Sequence, residues 1–233
     1  MHVDKINLEL LHLFVANGGI GACTHEVIET GFDISPKEFL ELAESDLMAS
    51  YNNHLLNSLT NTKRAIDSQL DSLLIAFGLF KRSKKERWTF PKKIEFLNDM
   101  RIISPRILKK INKKRNLLEH EYKNPSEEEV EDALDVASLF ISYTDKYLSP
   151  GLTKFELFDD RKLWNEDPTG LRGVKLQYVV IELDWMNCKL IFDLPIRGID
   201  GLYDHIIEEL TADQKEYDEY LKFYLNLYNI VNR

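Results

Sequence analysis

Two helix-start signals, placed about ninety residues apart, decide most of what this chain can fold into. Ser35-Pro36-Lys37-Glu38 supplies a capping serine, a proline suited to the first helical position, and a glutamate that closes a capping box. Ser126-Glu127-Glu128-Glu129 repeats the box and sets acids at the positive end of the helix that follows. Apolar residues after each signal recur at three and four positions, the period of a helix with one buried face. Phe39, Leu42, Leu47 and Tyr51 predict a helix over 36–51, with Asn52-Asn53 as a break or bend. Leu55, Leu59, Ile66, Leu70, Leu73, Leu74 and Phe77 carry a second over 54–80. KRSKKERWTFPKK, residues 81–93, then forms a basic connector. Ser104-Pro105 opens a third helix that runs to Tyr122 and stops at Lys123-Asn124-Pro125. The fourth runs from Glu127 to about Leu148, and Ser149-Pro150-Gly151 ends it.

The flanks read differently. Leu8, Leu11 and Val15 predict a short helix. NGGIGA, Asn17 to Ala22, predicts a helix stop and turn, because it lacks the GxxxxGK[ST] pattern of a phosphate loop and no strand precedes it. Beyond 151 the residues favour strands. VKLQYVVIEL (174–183) and CKLIFDL (188–194) are joined by Asp184-Trp185-Met186-Asn187 as a hairpin, and KFELF (154–158) adds a third strand. The aromatic stretch 201–229 predicts one or two helices, interrupted near Thr211-Ala212-Asp213. The expectation is a mainly α fold: an antiparallel helical bundle over 35–150, preceded by an extension over 1–34. A small β-hairpin and C-terminal helices follow over 151–233.

Composition narrows the setting. A chain of 233 residues can bury a core without staples. No apolar run approaches the ~18 residues of a membrane span, so no membrane partner is expected. MHVDKINLELLHLF has no basic cluster or cleavage site of a signal peptide. Cys23 and Cys188, two isolated thiols, fit a reducing cytoplasm and provide no metal framework. The histidines show no ligand spacing, Cys23-Thr24-His25 is at most two ligands, and neither a GxSxG elbow nor a Walker loop is present. Neither a metal nor a cofactor is expected. The net charge of −9 argues against a polyanionic partner until its distribution is read. From Lys81 to Arg115 there are 14 Lys and Arg against Glu86, Glu95 and Asp99. That segment is either a solvated face balanced by acidic neighbours or a phosphate-facing patch.

Chemistry concentrates at Arg115-Asn116-Leu117-Leu118-Glu119-His120-Glu121-Tyr122. On a helix, Arg115 and Tyr122 share the sector of Ile107, Ile111 and Leu118, whereas Lys109, Lys113, Asn116 and His120 face the other way. An arginine in an apolar stripe is costly unless it is paired or faces an interface. Glu119, four residues on, is a candidate partner, which leaves a purely structural scaffold open. RNLLEHEY resembles the R-x4-H-x-Y motif of the HEPN superfamily, and the order of helices over 35–148 is similar to its bundle. The resemblance implies a metal-independent endoribonuclease acting as a homodimer, with two motifs forming one composite site. It implies that Arg115 binds the scissile phosphate, His120 acts as general acid or base, Asn116 orients the histidine or phosphate, and Tyr122 positions substrate. Attack by the RNA 2′-hydroxyl would leave 2′,3′-cyclic phosphate ends. Lys109, Lys110, Lys113 and Lys114 would guide RNA to the site. Toxin members of the superfamily have a nucleotidyltransferase antitoxin that modifies the tyrosine, and others act in phage defence. A non-catalytic HEPN-like module that binds nucleic acid, a nucleotide or a protein is the alternative.

Overall fold

The computed structural model describes residues 7–103, 124–159, 178–197 and 203–231. In chain order its elements are α1 (Leu8–Asn17), β1 (Gly18–Glu26), α2 (Pro36–Leu47), α3 (His54–Ala76), α4 (Phe80–Lys85) and α5 (Phe90–Asp99). They continue with α6 (Glu127–Thr144), a 3-10 turn (Asp145–Tyr147), β2 (Gly151–Asp159), β3 (Tyr178–Asp184), β4 (Lys189–Arg197), β5 (Tyr203–Thr211) and α7 (Tyr217–Val231). The chain divides into two compact units. A helical unit takes Val27–Ala76 and Ser83–Gly151, and a sheet unit takes Met1–Glu26, Phe77–Arg82 and Leu152–Arg233.

In the helical unit, α2, α3 and α6 pack against one another. Both capping boxes form: Ser35 Oγ accepts from Glu38 N at 3.2 Å, and Ser126 Oγ accepts from Glu129 N at 3.2 Å. Each glutamate returns the bond, accepting from its serine's N–H at 2.7 and 3.0 Å. The apolar seam joins Leu59 of α3 to Val130 and Ala133 of α6, with Leu47 and Leu55 against them. Polar residues inside the bundle are satisfied across helices, as burial demands. Ser58 Oγ donates to the Ala43 carbonyl at 2.7 Å, and Gln69 Nε2 donates to Thr144 Oγ1 at 2.8 Å.

In the sheet unit the strand order is β1-β2-β3-β4-β5, with antiparallel pairing from β2 through β5. One face is apolar: Phe155, Leu157, Val179, Ile181, Leu183, Leu190, Phe192 and Leu194 are all buried. Helix α7 covers it. Tyr224 lies 5.1 Å from the Phe155 ring and donates to the Leu152 carbonyl at 2.5 Å, while Tyr220 meets Phe192 edge-on at 5.4 Å. Tyr217 donates to the Phe77 carbonyl at 2.8 Å, and its burial pushes the phenol well above its usual range. On the other face, cross-strand pairs Lys154–Glu182 (3.0 Å) and Lys189–Glu209 (2.5 Å) match the pleat.

Four expectations are corrected. The small hairpin is two strands of a five-stranded sheet, so the fold is mixed rather than mainly α. The hairpin itself stands, with Asn187 N donating to Asp184 Oδ1 at 3.0 Å in its turn. NGGIGA ends α1 at Gly18 but continues as a strand instead of turning. Its glycines leave room for a neighbour: a Cβ on Gly19 would lie 2.9 Å from Phe158 Cζ, and one on Gly21 3.4 Å from Phe158 Cδ1. Residues 203–211 are a strand because they pair with β4 from Lys189↔Thr211 to Arg197↔Tyr203, and Ile206 and Leu210 suit a half-covered edge as well as a helix. The basic connector is itself helical over much of its length, in α4 and the start of α5. The predicted third helix lies outside the described residues.

Candidate functional site

The motif residues Arg115, Asn116, His120 and Tyr122, with Lys109, Lys110, Lys113 and Lys114, lie outside the described residues. Described structure resumes at Asn124, two positions beyond Tyr122, and leads straight into the capping box of α6. Pro125 follows Asn124, and both line a cleft of about 280 Å³ with Ser50 to Leu56, the turn between α2 and α3 and the first residues of α3.

That turn is built by sequence. Helix α2 stops at Leu47, and Asn53, at φ 66°, takes the left-handed conformation that asparagine tolerates better than most residues. Tyr51 donates its hydroxyl to Asp46 Oδ1 and accepts from Asn57 Nδ2 at 3.1 Å. Asp46 Oδ2 accepts from Asn61 Nδ2 at 2.8 Å, and the Asp46 carbonyl lies 3.2 Å from His54 Nδ1. The bond to Asp46 raises the Tyr51 phenol above its ordinary value, because ionisation would set two anions together. The Tyr51 and His54 rings meet edge-on, 6.1 Å apart at 71°. Sequence reasoning missed this constellation. Its one local signal was the Asn52-Asn53 break, which says where the helix ends and not what Asp46 collects.

The described part of the basic segment is partly neutralised. Arg82 forms a two-pronged pair with Asp218 at 2.9 and 2.7 Å, both partners in the sheet unit. In the helical unit Lys93 and Lys84 both reach Asp71, the latter at 3.6 Å, and Lys92 pairs with Glu95 at 3.2 Å. Lys85, Arg87, Lys92 and Arg101 of that unit are exposed. A more open cleft of about 460 Å³ sits beside Asp71, lined by Phe32, Ile34, Phe39, Arg64, Asp67 and Ser68.

The two thiols sit in the sheet unit. Burial raises Cys188 and, more weakly supported by Glu156, Cys23 above the usual thiol range, so both are held as thiols. Among the described residues no group of three His, Cys, Asp or Glu is placed to hold a metal ion, and no helix is long and apolar enough to cross a membrane. No protein-family model, curated protein or solved structure matches this chain.

Proposed function

We propose that the protein is a dimeric, metal-independent endoribonuclease of the HEPN kind, acting as a toxin or phage-defence effector. The observation that carries the reading is the octapeptide Arg115 to Tyr122, in which an arginine, a histidine and a tyrosine stand at the superfamily's spacing. A packed helical unit whose helices precede and follow that octapeptide supports it. In this account the Arg115 guanidinium binds the scissile phosphate and stabilises charge gathering on its oxygens. His120 takes the proton from the RNA 2′-hydroxyl or gives one to the departing 5′-oxygen. The 2′-oxygen forms its bond to phosphorus as the bond to the 5′-oxygen breaks, leaving a 2′,3′-cyclic phosphate and a 5′-hydroxyl. Asn116 orients the reacting groups and Tyr122 positions substrate. The lysines 109, 110, 113 and 114 hold the RNA backbone through counterion release. In the toxin setting, a nucleotidyltransferase antitoxin would silence the protein at Tyr122.

One observation favours the second reading, a non-catalytic module that binds nucleic acid, a nucleotide or a protein. Arg82, Lys84, Lys92 and Lys93 are already paired with carboxylates, which reduces the cationic surface available for RNA. End-group analysis separates the two. Purified protein incubated with a mixed RNA pool in excess chelator is expected to leave cyclic-phosphate and 5′-hydroxyl ends. Cleavage that needs a divalent metal, or that leaves 5′-phosphates, would overturn the mechanism.

A further inference from the structure

The turn between α2 and α3 holds an arrangement that helix stability does not explain. Asp46 sits in the last turn of α2, where the negative end of the helix disfavours an anion. Its carboxylate nevertheless accepts from Tyr51 and Asn61, and its carbonyl faces His54 Nδ1. Tyr51, Asn57 and Asn52-Asn53 are exposed, so these groups have water as an alternative partner and the bonds add little net stability. What they do is fix two rings. Tyr51 is anchored at its hydroxyl and leaves 45% of its surface accessible, while His54 is turned by its Nδ1 contact.

These rings border the cleft of about 280 Å³. Among the described residues its lining contains Asn52, Asn53 and Asn124 and no lysine, arginine, aspartate or glutamate. Amides beside an accessible aromatic ring suit a flat, neutral group with hydrogen-bonding edges. The volume of about 280 Å³ falls just below the roughly 300–1,000 Å³ of drug-sized ligand pockets, room for a single ring system rather than a larger cofactor.

We propose that this cleft binds one unpaired nucleobase of single-stranded RNA, adenine in preference. Tyr51 supplies the stacking face, which every base accepts. The Asn53 carboxamide offers a donor and an acceptor side by side, the pair that matches the N6 and N7 edge of adenine. With Nδ1–H given to the Asp46 carbonyl, His54 presents Nε2 as an acceptor towards an exocyclic amine. The choice of RNA as ligand rests on the ribonuclease reading, but the cleft uses none of the residues assigned to cleavage.

The test is fluorescence anisotropy of the full chain with labelled 2′-O-methyl pentaadenylate and pentauridylate. These probes lack the attacking hydroxyl, so binding is read apart from cleavage. The wild type is expected to bind the adenylate at least fivefold more tightly. Tyr51→Ala should weaken adenylate binding by about tenfold, within the span measured for loss of one stacking ring. Tyr51→Phe should keep most of the affinity. Asn53→Gly is the second variant, since its φ of 66° suits glycine and the fold should persist. It should erase the adenylate preference, and it decides the matter if Tyr51→Ala fails to fold. Equal binding of the two probes by the wild type would overturn the proposal, and so would an unaltered preference in Asn53→Gly. Adenylate preference without cleavage of unmodified RNA would keep the cleft and discard the ribonuclease reading. Cleavage without preference would do the reverse.

Discussion

Arg87 and Arg101 hold φ values of 54° and 58°, the left-handed region that glycine normally occupies at helix ends. Each closes a helix in the same way: Trp88 N donates to the Ser83 carbonyl at 2.8 Å, and Ile102 N to the Leu97 carbonyl at 3.0 Å. The conformation costs a side chain roughly 1–2 kcal/mol, and a cation beside exposed carbonyls returns about 0.3–1 kcal/mol. Arg101→Gly should therefore melt at or slightly above the wild-type temperature, and a clear fall in thermal denaturation would show that the guanidinium has a further partner. Gly78 illustrates the opposite constraint in the sheet unit. Its φ is 68°, and an added Cβ would lie 2.9 Å from Cys188 Cα and 3.0 Å from the Tyr217 hydroxyl. No side chain fits there, and the left-handed φ of Gly78 ends the helix, so the pattern read through to residue 80 stops at Ala76.

At the scale of elements, the starts of α2 and α6 were legible because a capping box is local: four consecutive residues contain the donor, the acceptor and the turn. Both boxes form as read. The box at α2 also makes a prediction about pH. Hydrogen bonds from Ser35, first its backbone N–H and then its hydroxyl, hold the Glu38 carboxyl below its ordinary value. A carboxylate favoured in the folded state contributes its full share above the unfolded value, and that share is lost as pH falls through the lowered folded value. Glu38→Gln should lose less stability than the wild type between neutral pH and the acid end of that window, as read by melting temperature against pH. Equal losses would mean that the bond to Ser35 carries no net free energy. Strands β1 and β5 were not legible in the same way. The partner of β1 is β2, more than a hundred residues later, and the pairing of β5 with β4 is what chooses strand over helix for Ile206-Ile207 and Leu210. Propensity in a single window cannot register a hydrogen-bond ladder supplied by another part of the chain.

At the scale of the molecule, fold and function were legible to different depths. The starts of α2 and α6, the hairpin turn at 184–187 and the strand at 154–158 followed from the sequence; the extent of the sheet did not. For the candidate site, Arg115, Asn116, His120 and Tyr122 rest on motif spacing alone, because they fall outside the described residues. The Tyr51, His54 and Asp46 constellation was hidden for the converse reason. Its residues have no recognisable spacing, and only the fold of the α2–α3 turn brings them together. The proposed ribonuclease activity requires Arg115 and His120 to cleave RNA without metal. Purified wild type, Arg115→Ala and His120→Ala should be compared on one RNA pool in excess chelator, with each protein first shown to be folded. Cleavage by the wild type is expected, with a loss of about a hundredfold or more in each variant, the scale of a lost acid–base or charge-stabilising group. Equal cleavage by all three, or none by a folded wild type, would contradict it.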